Sequence, residues 1–487
     1  GYFTLLAQMT NGSPNNYLNA LWAVFNVDGL SKVTDKSYQQ IEPRPSEVLV
    51  GNGVVFLRSG GIDHERGAVL RYGPTLNHGH LDELGINIYA VGRELLFDPG
   101  TGYAHYRFGW AQQTVAHNTV VVNERSQLSK ESAGGSLNYF LDADGFSIVS
   151  VSDEGAYSSE MLTLYRRDIA LVDFSEEGSY IVDIFRVAGG DQRDYSFHAK
   201  GRSFEVMGLE LSPPEFGSLA SRDFSWGDKV DYSPGTIAGF ETQPYRWNAP
   251  PGNGYGFLSN VQRAKTNSIW TATWSDSASN ARLRLTMLPF DNREILVVDG
   301  PSAMGVKYVI ARDNESEYSQ YVSIIEPTGG DFAIQNVKEL KICEWSEDNP
   351  KPIAFVVKTL NKNTSTGVSK LLSWMKPSSR SDGSNATYDY FGSVQGKHTF
   401  SAEYEGEVLK TNAELVFIRK DTESVSHVTM IKGTRISLDD FELSIAQDEY
   451  QGELISVDYE TNTILTQTSL PLGSVLKGKH IIINGEE

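Results

Sequence analysis

Four of the nine histidines fall between residues 78 and 117. The string Asn77-His78-Gly79-His80-Leu81-Asp82 leads to Phe97-Asp98-Pro99-Gly100-Thr101-Gly102-Tyr103, and then to Ala116-His117-Asn118-Thr119. His78 and His80 are two apart. In extended backbone that spacing puts both side chains on one face and turns Gly79 away. Asp98 stands just before a Pro-Gly turn. Alternation along residues 115–123 would put Val115, His117, Thr119 and Val121 on one face. Two imidazoles and one carboxylate with an open position are a common zinc arrangement, and His80, Asp98 and His117 can make that set. A plainer account also fits: two hydrogen-bonded interior histidines and an aspartate capping a turn. Spacing alone favours the plainer account, because histidine is a normal partly buried residue.

The elements that must position these groups are strands. Short alternating or apolar runs occupy residues 48–57, 85–90, 115–123, 180–187, 282–287, 294–298, 354–358, 413–418 and 480–484. Gly, Asn, Asp and Pro separate them, as strands require. Residues 86–89 and 94–97 read as a hairpin around Val91-Gly92-Arg93. A strict hairpin would pair Asp98 with about Ile86, several residues from His80. The three candidate ligands therefore converge only if residues 80–84 curl away from the strand.

The fold class expected is mainly β: a large antiparallel sandwich, a smaller C-terminal β domain and a short N-terminal helical segment. Leu18, Leu21, Trp22 and Phe25 recur at helical spacing after Ser13-Pro14. The expected domains are residues 1–45 (helical), 46–335 (central sandwich) and 336–487 (C-terminal β domain). The segment 367–388, rich in Ser, Lys and Asn, reads as a long exposed loop.

The chain has 487 residues, enough for several cores. Its 62 acidic residues exceed its 42 basic ones, giving a net charge of −20. That balance argues against nucleic acid as a partner, which takes clustered Lys and Arg. One cysteine, Cys343, excludes an internal disulfide and Cys-rich zinc modules. No apolar run approaches the roughly 20 residues of a membrane helix, so no membrane partner is expected. The chain opens Gly1-Tyr2, and the expectation is a removed leader or a start partway through a longer protein.

Three motifs in order carry a family resemblance: Asn77–His80 with Asp82, Asp98-Pro99-Gly100-Thr101 following Tyr89-Ala90-Val91-Gly92-Arg93, and Thr114-Val115-Ala116-His117-Asn118-Thr119-Val120-Val121-Val122. Together they resemble the heparinase II/III superfamily of polysaccharide lyases. The likeness is strongest over residues 70–127 and continues through Leu164-Tyr165-Arg166-Arg167 and Asp183-Ile184-Phe185-Arg186 to Tyr195-Ser196-Phe197-His198.

The resemblance implies an α/α toroid ahead of the β-sheet body, of which residues 1–45 would be the end. It implies β-elimination of a uronic acid-containing polysaccharide, with a glycosaminoglycan ahead of alginate, by a secreted or periplasmic enzyme. It places His78 in the substrate cleft and gives His80, Asp98 and His117 to a metal, zinc or another divalent ion. It also asks for a cleft tyrosine, Tyr103 or Tyr106. Tyr106 is preferred because Arg107 and Trp110 beside it suit a sugar-binding loop, with Asn77 completing the substrate contacts. Tyr245-Arg246-Trp247 with Tyr255 is a further candidate stacking platform. Arg166 and Arg167 suit substrate carboxylates, but salt bridges to Asp168 or Asp173 are the simpler expectation. His198 reads as a packed strand histidine. The competing function is a non-catalytic carbohydrate-binding sandwich with a structural metal, which a missing toroid would favour.

Overall fold

The structure is a computed structural model. It describes residues 44–467 apart from 62–63, 76–78, 101–106, 129–133, 161, 223–252, 302–304, 315, 361–385, 422–423, 449–453 and 459–462. The expected helical segment 1–45 lies outside the described residues except for its last two. So do the strand 480–484 and nearly all of the loop 367–388, whose final residues open a strand.

The architecture is mainly β, as expected, with antiparallel pairing throughout the named strands. A five-stranded meander runs β1 (Glu47–Leu49), β2 (Val54–Ser59), β3 (Arg66–Arg71), β4 (Ile86–Ala90) and β5 (Arg93–Leu96). The single strand expected over 48–57 is thus two, split by a turn at Val50–Asn52. Gly53 explains the split: its φ is +61°, and a Cβ there would stand 2.3 Å from the Gly73 backbone. The β4–β5 hairpin turns on Val91 and Gly92, both with positive φ, the backbone of a tight two-residue turn.

Four more strands, β6 (Val120–Val122), β7 (Ser136–Ala143), β8 (Phe146–Ser152) and β9 (Leu164–Asp173), are followed by β10 (Ser179–Ala188) and β11 (Arg193–His198). An eight-stranded sheet has the order Ser203–Met207, Trp270–Asp276, Ala281–Met287, Tyr318–Thr328, β10, β9, β8, β7. A third sheet joins Ser259–Lys265, Glu294–Asp299, Lys307–Asp313, β11 and β6. Two further five-stranded sheets come from residues 334–444.

The eight-stranded sheet is the middle layer. One of its faces packs Val149, Ile169, Leu171 and Phe185 against the meander (Val55, Leu57, Ile86, Ile88) and the third sheet (Tyr195, Phe197). The other packs Phe146, Ile148, Val182 and Ile184 against Phe355, Phe391 and Phe417 of the C-terminal sheets. With both faces covered, β9 and β10 are buried almost end to end. Their charges are therefore paired face by face. Arg167 meets Asp183 on the meander side. Arg166 and Arg186 both meet Asp168 on the other side. Lone charges at these depths would cost several kcal/mol, so each needs its partner. Among the described residues, no helix is long and apolar enough to cross a membrane.

Candidate metal centre

The curl that the three candidate ligands need is present. A turn closes at the foot of β4, where the Gly85 N–H donates to the Asp82 carbonyl at 2.8 Å and Leu84 adopts φ +57°. The Leu84 N–H donates to the Arg71 carbonyl of β3 (2.7 Å), and the Leu81 N–H to the Gln112 carbonyl (3.0 Å). The Gln112 side chain donates to the Gly79 carbonyl (3.1 Å). Arg71 donates to the His80 carbonyl and pairs with Asp82, and the Thr75 hydroxyl donates to the same carbonyl at 2.6 Å. His80 is thus lifted off the strand line and held over Asp98.

Asp98 sits beyond the end of β5. Its Oδ1 accepts the Gly100 N–H at 2.6 Å, which aims Oδ2 at the histidines. His80 Nδ1 lies 2.9 Å from that oxygen and His117 Nδ1 3.6 Å. His117 is not on a strand as expected. It ends a 3-10 turn at Thr114–Ala116, and β6 begins only at Val120. The reason is local: His117 N–H donates back to Thr114 and the Ala116 N–H to Gln113, so the chain coils before it extends. The His117 Nε2–H donates to the Ala111 carbonyl at 2.9 Å, leaving Nδ1 with its lone pair facing Asp98.

The ligand atoms of His80, Asp98 and His117 lie within 4.8 Å of one another. Among the described residues this is the group of three or more His, Cys, Asp or Glu arranged so. Two imidazole nitrogens and a carboxylate oxygen, one nitrogen fixed by a second hydrogen bond, fit a divalent metal such as zinc. Burial opposes ionisation of Asp98. The His80 hydrogen bond and the charges of His117 and His80 outweigh it and hold the carboxyl at about 2. Burial also opposes charging His80, but Asp98 raises its pKa on balance. His117 is pulled down by burial.

Other residues hold the site from behind. Arg167, fully buried, donates to the Leu84 carbonyl at 2.5 Å and the Asn118 carbonyl at 2.6 Å. Asn118 accepts the His198 N–H at 2.7 Å. His198 donates from Nε2 to the Phe97 carbonyl at 3.0 Å and stacks on Tyr308. It is a packed strand histidine, as expected, and it steadies the residue before Asp98.

Several expected site residues lie outside the described residues: Asn77, His78, Tyr103, Tyr106, the side chain of Arg107, and Tyr245-Arg246-Trp247. Two expectations are corrected. Trp110 is 1% exposed and packs against Phe257 and Tyr308, so it is core and offers no face to a sugar. Tyr255 is likewise buried, its hydroxyl donating to Asp194 at 2.6 Å. Arg166 pairs with Asp168, as the simpler expectation held, while Arg167 pairs with Asp183. The signal for Arg167 was a charged pair inside an otherwise apolar buried run, though nothing in the sequence named its partner.

Comparison with known proteins identifies the segment that carries these residues. Residues 56–228 match the family model described as Heparinase II/III-like, C-terminal. That match spans His80, Asp98 and His117. An exo-oligoalginate lyase of Saccharophagus degradans is 29% identical over 131 residues, 23% of this chain and 17% of that protein. An alginate lyase of Stenotrophomonas maltophilia is 30% identical over 203 residues, 36% of this chain and 26% of that protein. The chain thus spans little more than a quarter of those relatives at most. A solved heparinase III gene product aligns over 71% of this chain and 46% of its own, at 16% identity and TM-score 0.43. A crystal structure of heparinase III aligns over 65% and 41%, at 13% identity and TM-score 0.40.

Proposed function

We propose that this chain is the β-sheet portion of a polysaccharide lyase acting on a uronic acid-containing polymer. The observation that carries the reading is the convergence of His80, Asp98 and His117 inside the heparinase II/III-like segment. The two curated relatives are named as alginate lyases, which moves alginate ahead of the glycosaminoglycans expected from sequence. A substrate of this kind lies outside the cell membrane, which supports a secreted or periplasmic enzyme.

The chemistry is proton removal from the carbon next to a carboxylate, followed by departure of the glycosidic oxygen. Such a proton is weakly acidic while the carboxylate is charged. The site must neutralise the carboxylate and stabilise the enolate-like state with aimed donors. It must also supply a base and an acid. His78 is assigned to carboxylate neutralisation or proton abstraction, and Tyr106 to protonating the leaving oxygen or supporting it. Asn77 and Arg107 are assigned to substrate contact. Zinc, when bound by His80, Asp98 and His117, would anchor the loop that carries His78 to the end of β5.

The test is ultraviolet absorbance of conjugated uronate during incubation with alginate, heparan sulfate, chondroitin sulfate, hyaluronan and ulvan. A rise with one polymer, lost in His78→Ala, supports the lyase. Folded, zinc-loaded protein that binds a polymer without producing unsaturated ends would replace this reading with a carbohydrate-binding module bearing a structural metal.

A further inference from the structure

The segment carrying His80 closes on a buried glutamate that the proposed chemistry does not use. Glu83 is 0% exposed and Asp153, just beyond β8, is 2% exposed. Glu83 Oε1 accepts the Thr75 N–H at 3.1 Å, across the base of the loop. The Glu83 N–H donates to Gln127 Oε1 at 2.7 Å. Its carbonyl accepts Gln127 Nε2 at 2.8 Å and the Thr119 hydroxyl at 3.0 Å. One residue thus ties the start of the loop, its end and the segment between His117 and β6.

The other half of the arrangement is incomplete. Glu83 Oε2 and both carboxyl oxygens of Asp153 receive no well-formed hydrogen bond from a fixed donor among the described residues, although the Gly155 and Ala156 N–H groups lie near Asp153. Two adjoining carboxylates sealed from water cannot both be ionised, because each loses hydration and repels the other. A single proton between them removes the repulsion and supplies the missing donor. We propose that Glu83 and Asp153 share one proton, and that this pair is a positioning device which fastens the segment carrying His80 to the end of β8 in the central sheet.

The surroundings agree. The groups facing the pair are Arg71, Glu154 and the phenols of Tyr157 and Tyr165. Arg71 is the one cation among them, and it is engaged by Asp82 and the His80 and Pro74 carbonyls. Both phenols donate to the Val120 carbonyl. Burial pushes the Glu83 carboxyl up to about 9, with the hydrogen bond to Asp153 and its charge adding to the rise. Burial raises the Asp153 carboxyl as well. The pair titrates as a unit.

The test compares wild type with Glu83→Gln and Asp153→Asn, each replacing one carboxyl by an amide that can donate but cannot ionise. Thermal unfolding of metal-free protein is followed from pH 5 to pH 10. The native pair keeps a proton that the unfolded chain, with glutamate titrating near 4.5, has released. Wild-type Tm therefore falls as pH rises through this window and levels above about 9. Either amide variant should lose most of that slope. Infrared spectroscopy at neutral pH should show a protonated carboxyl band in wild type and none from this pair in Glu83→Gln. Zinc affinity, read by chelator competition, should stay within about twofold of wild type at pH 7 in Glu83→Gln and fall about tenfold or more in Glu83→Ala. Equal Tm slopes in wild type and both amide variants, or no band difference, would overturn the shared proton. Undiminished zinc affinity in Glu83→Ala would overturn the positioning role. The zinc arm rests on the proposed metal set, whereas the Tm and infrared arms stand if that set binds nothing.

Discussion

Arg167 and Asp183 face each other as a two-pronged pair inside the middle of the molecule, Nε to Oδ1 at 2.9 Å and Nη2 to Oδ2 at 2.6 Å, both side chains fully buried. The pairing leaves Nη1 free to reach the Leu84 and Asn118 carbonyls, which belong to the two loops that deliver His80 and His117. Arg167→Met should destabilise the protein by about 3–5 kcal/mol in urea unfolding, because it strands Asp183 in the core. Arg167→Met combined with Asp183→Leu should cost less than the sum of the two single changes. An additive double variant would mean the pair is not coupled.

The metal set makes a direct prediction. His80→Ala, Asp98→Asn and His117→Ala should each lower bound zinc from about one ion per chain to far below one by elemental analysis. Excess zinc should raise wild-type stability, by about 4 kcal/mol at a thousandfold excess over Kd, and leave the His117→Ala variant unmoved.

Acid should reveal His198. Burial lowers its pKa to about 3, with the neighbouring His117 charge adding to the effect. The unfolded chain takes up a proton near pH 6.5 that the folded state refuses until about pH 3. Stability present above pH 6.5 is therefore lost as pH falls across that window, by at most about 5 kcal/mol. His198→Gln retains an amide donor for the Phe97 carbonyl and has nothing to titrate. Its Tm should decline less steeply in acid than wild type, and an unchanged decline would count against a neutral buried imidazole.

Trp110 separates core from cleft. Trp110→Ala should cost about 3–5 kcal/mol of stability. Trp110→Phe, if the protein degrades a uronate polymer, should leave KM within about twofold. A large rise in KM with normal stability would return Trp110 to the substrate surface.

The sheet architecture was legible because runs such as 180–187 and 282–287 alternate or stay apolar at strand length. The grouping of His80, Asp98 and His117 was legible because a few motifs carry those residues. What stayed hidden depended on contacts between distant residues. The Gly53 turn is forced by the Gly73 backbone, 20 positions away. The 3-10 coil before His117 reads as strand in Thr114-Val115-Ala116, since both β-branched residues suit strands and only the Ala111–Gln113 carbonyl arrangement selects the coil. Trp110 next to Arg107 resembled a sugar-binding loop, and its burial is decided by Phe257 and Tyr308, far along the chain. Glu83 carried no signal at all, because its partner Asp153 is 70 residues later and an isolated acidic residue is ordinarily surface.

The strand order of the eight-stranded sheet separates the unit of inheritance from the unit of folding. The family-matched stretch ends at residue 228, yet Trp270–Asp276, Ala281–Met287 and Tyr318–Thr328 lie between Ser203–Met207 and β10 in that sheet. A gene fragment cut at the family boundary would orphan the strand at Ser203–Met207. It would also leave β10 as a long apolar rim with unpaired amides, an invitation to edge-to-edge association. The stretch that ancestry recognises cannot be lifted out as a working part, and whatever chemistry its loops perform travels only with the strands that follow it.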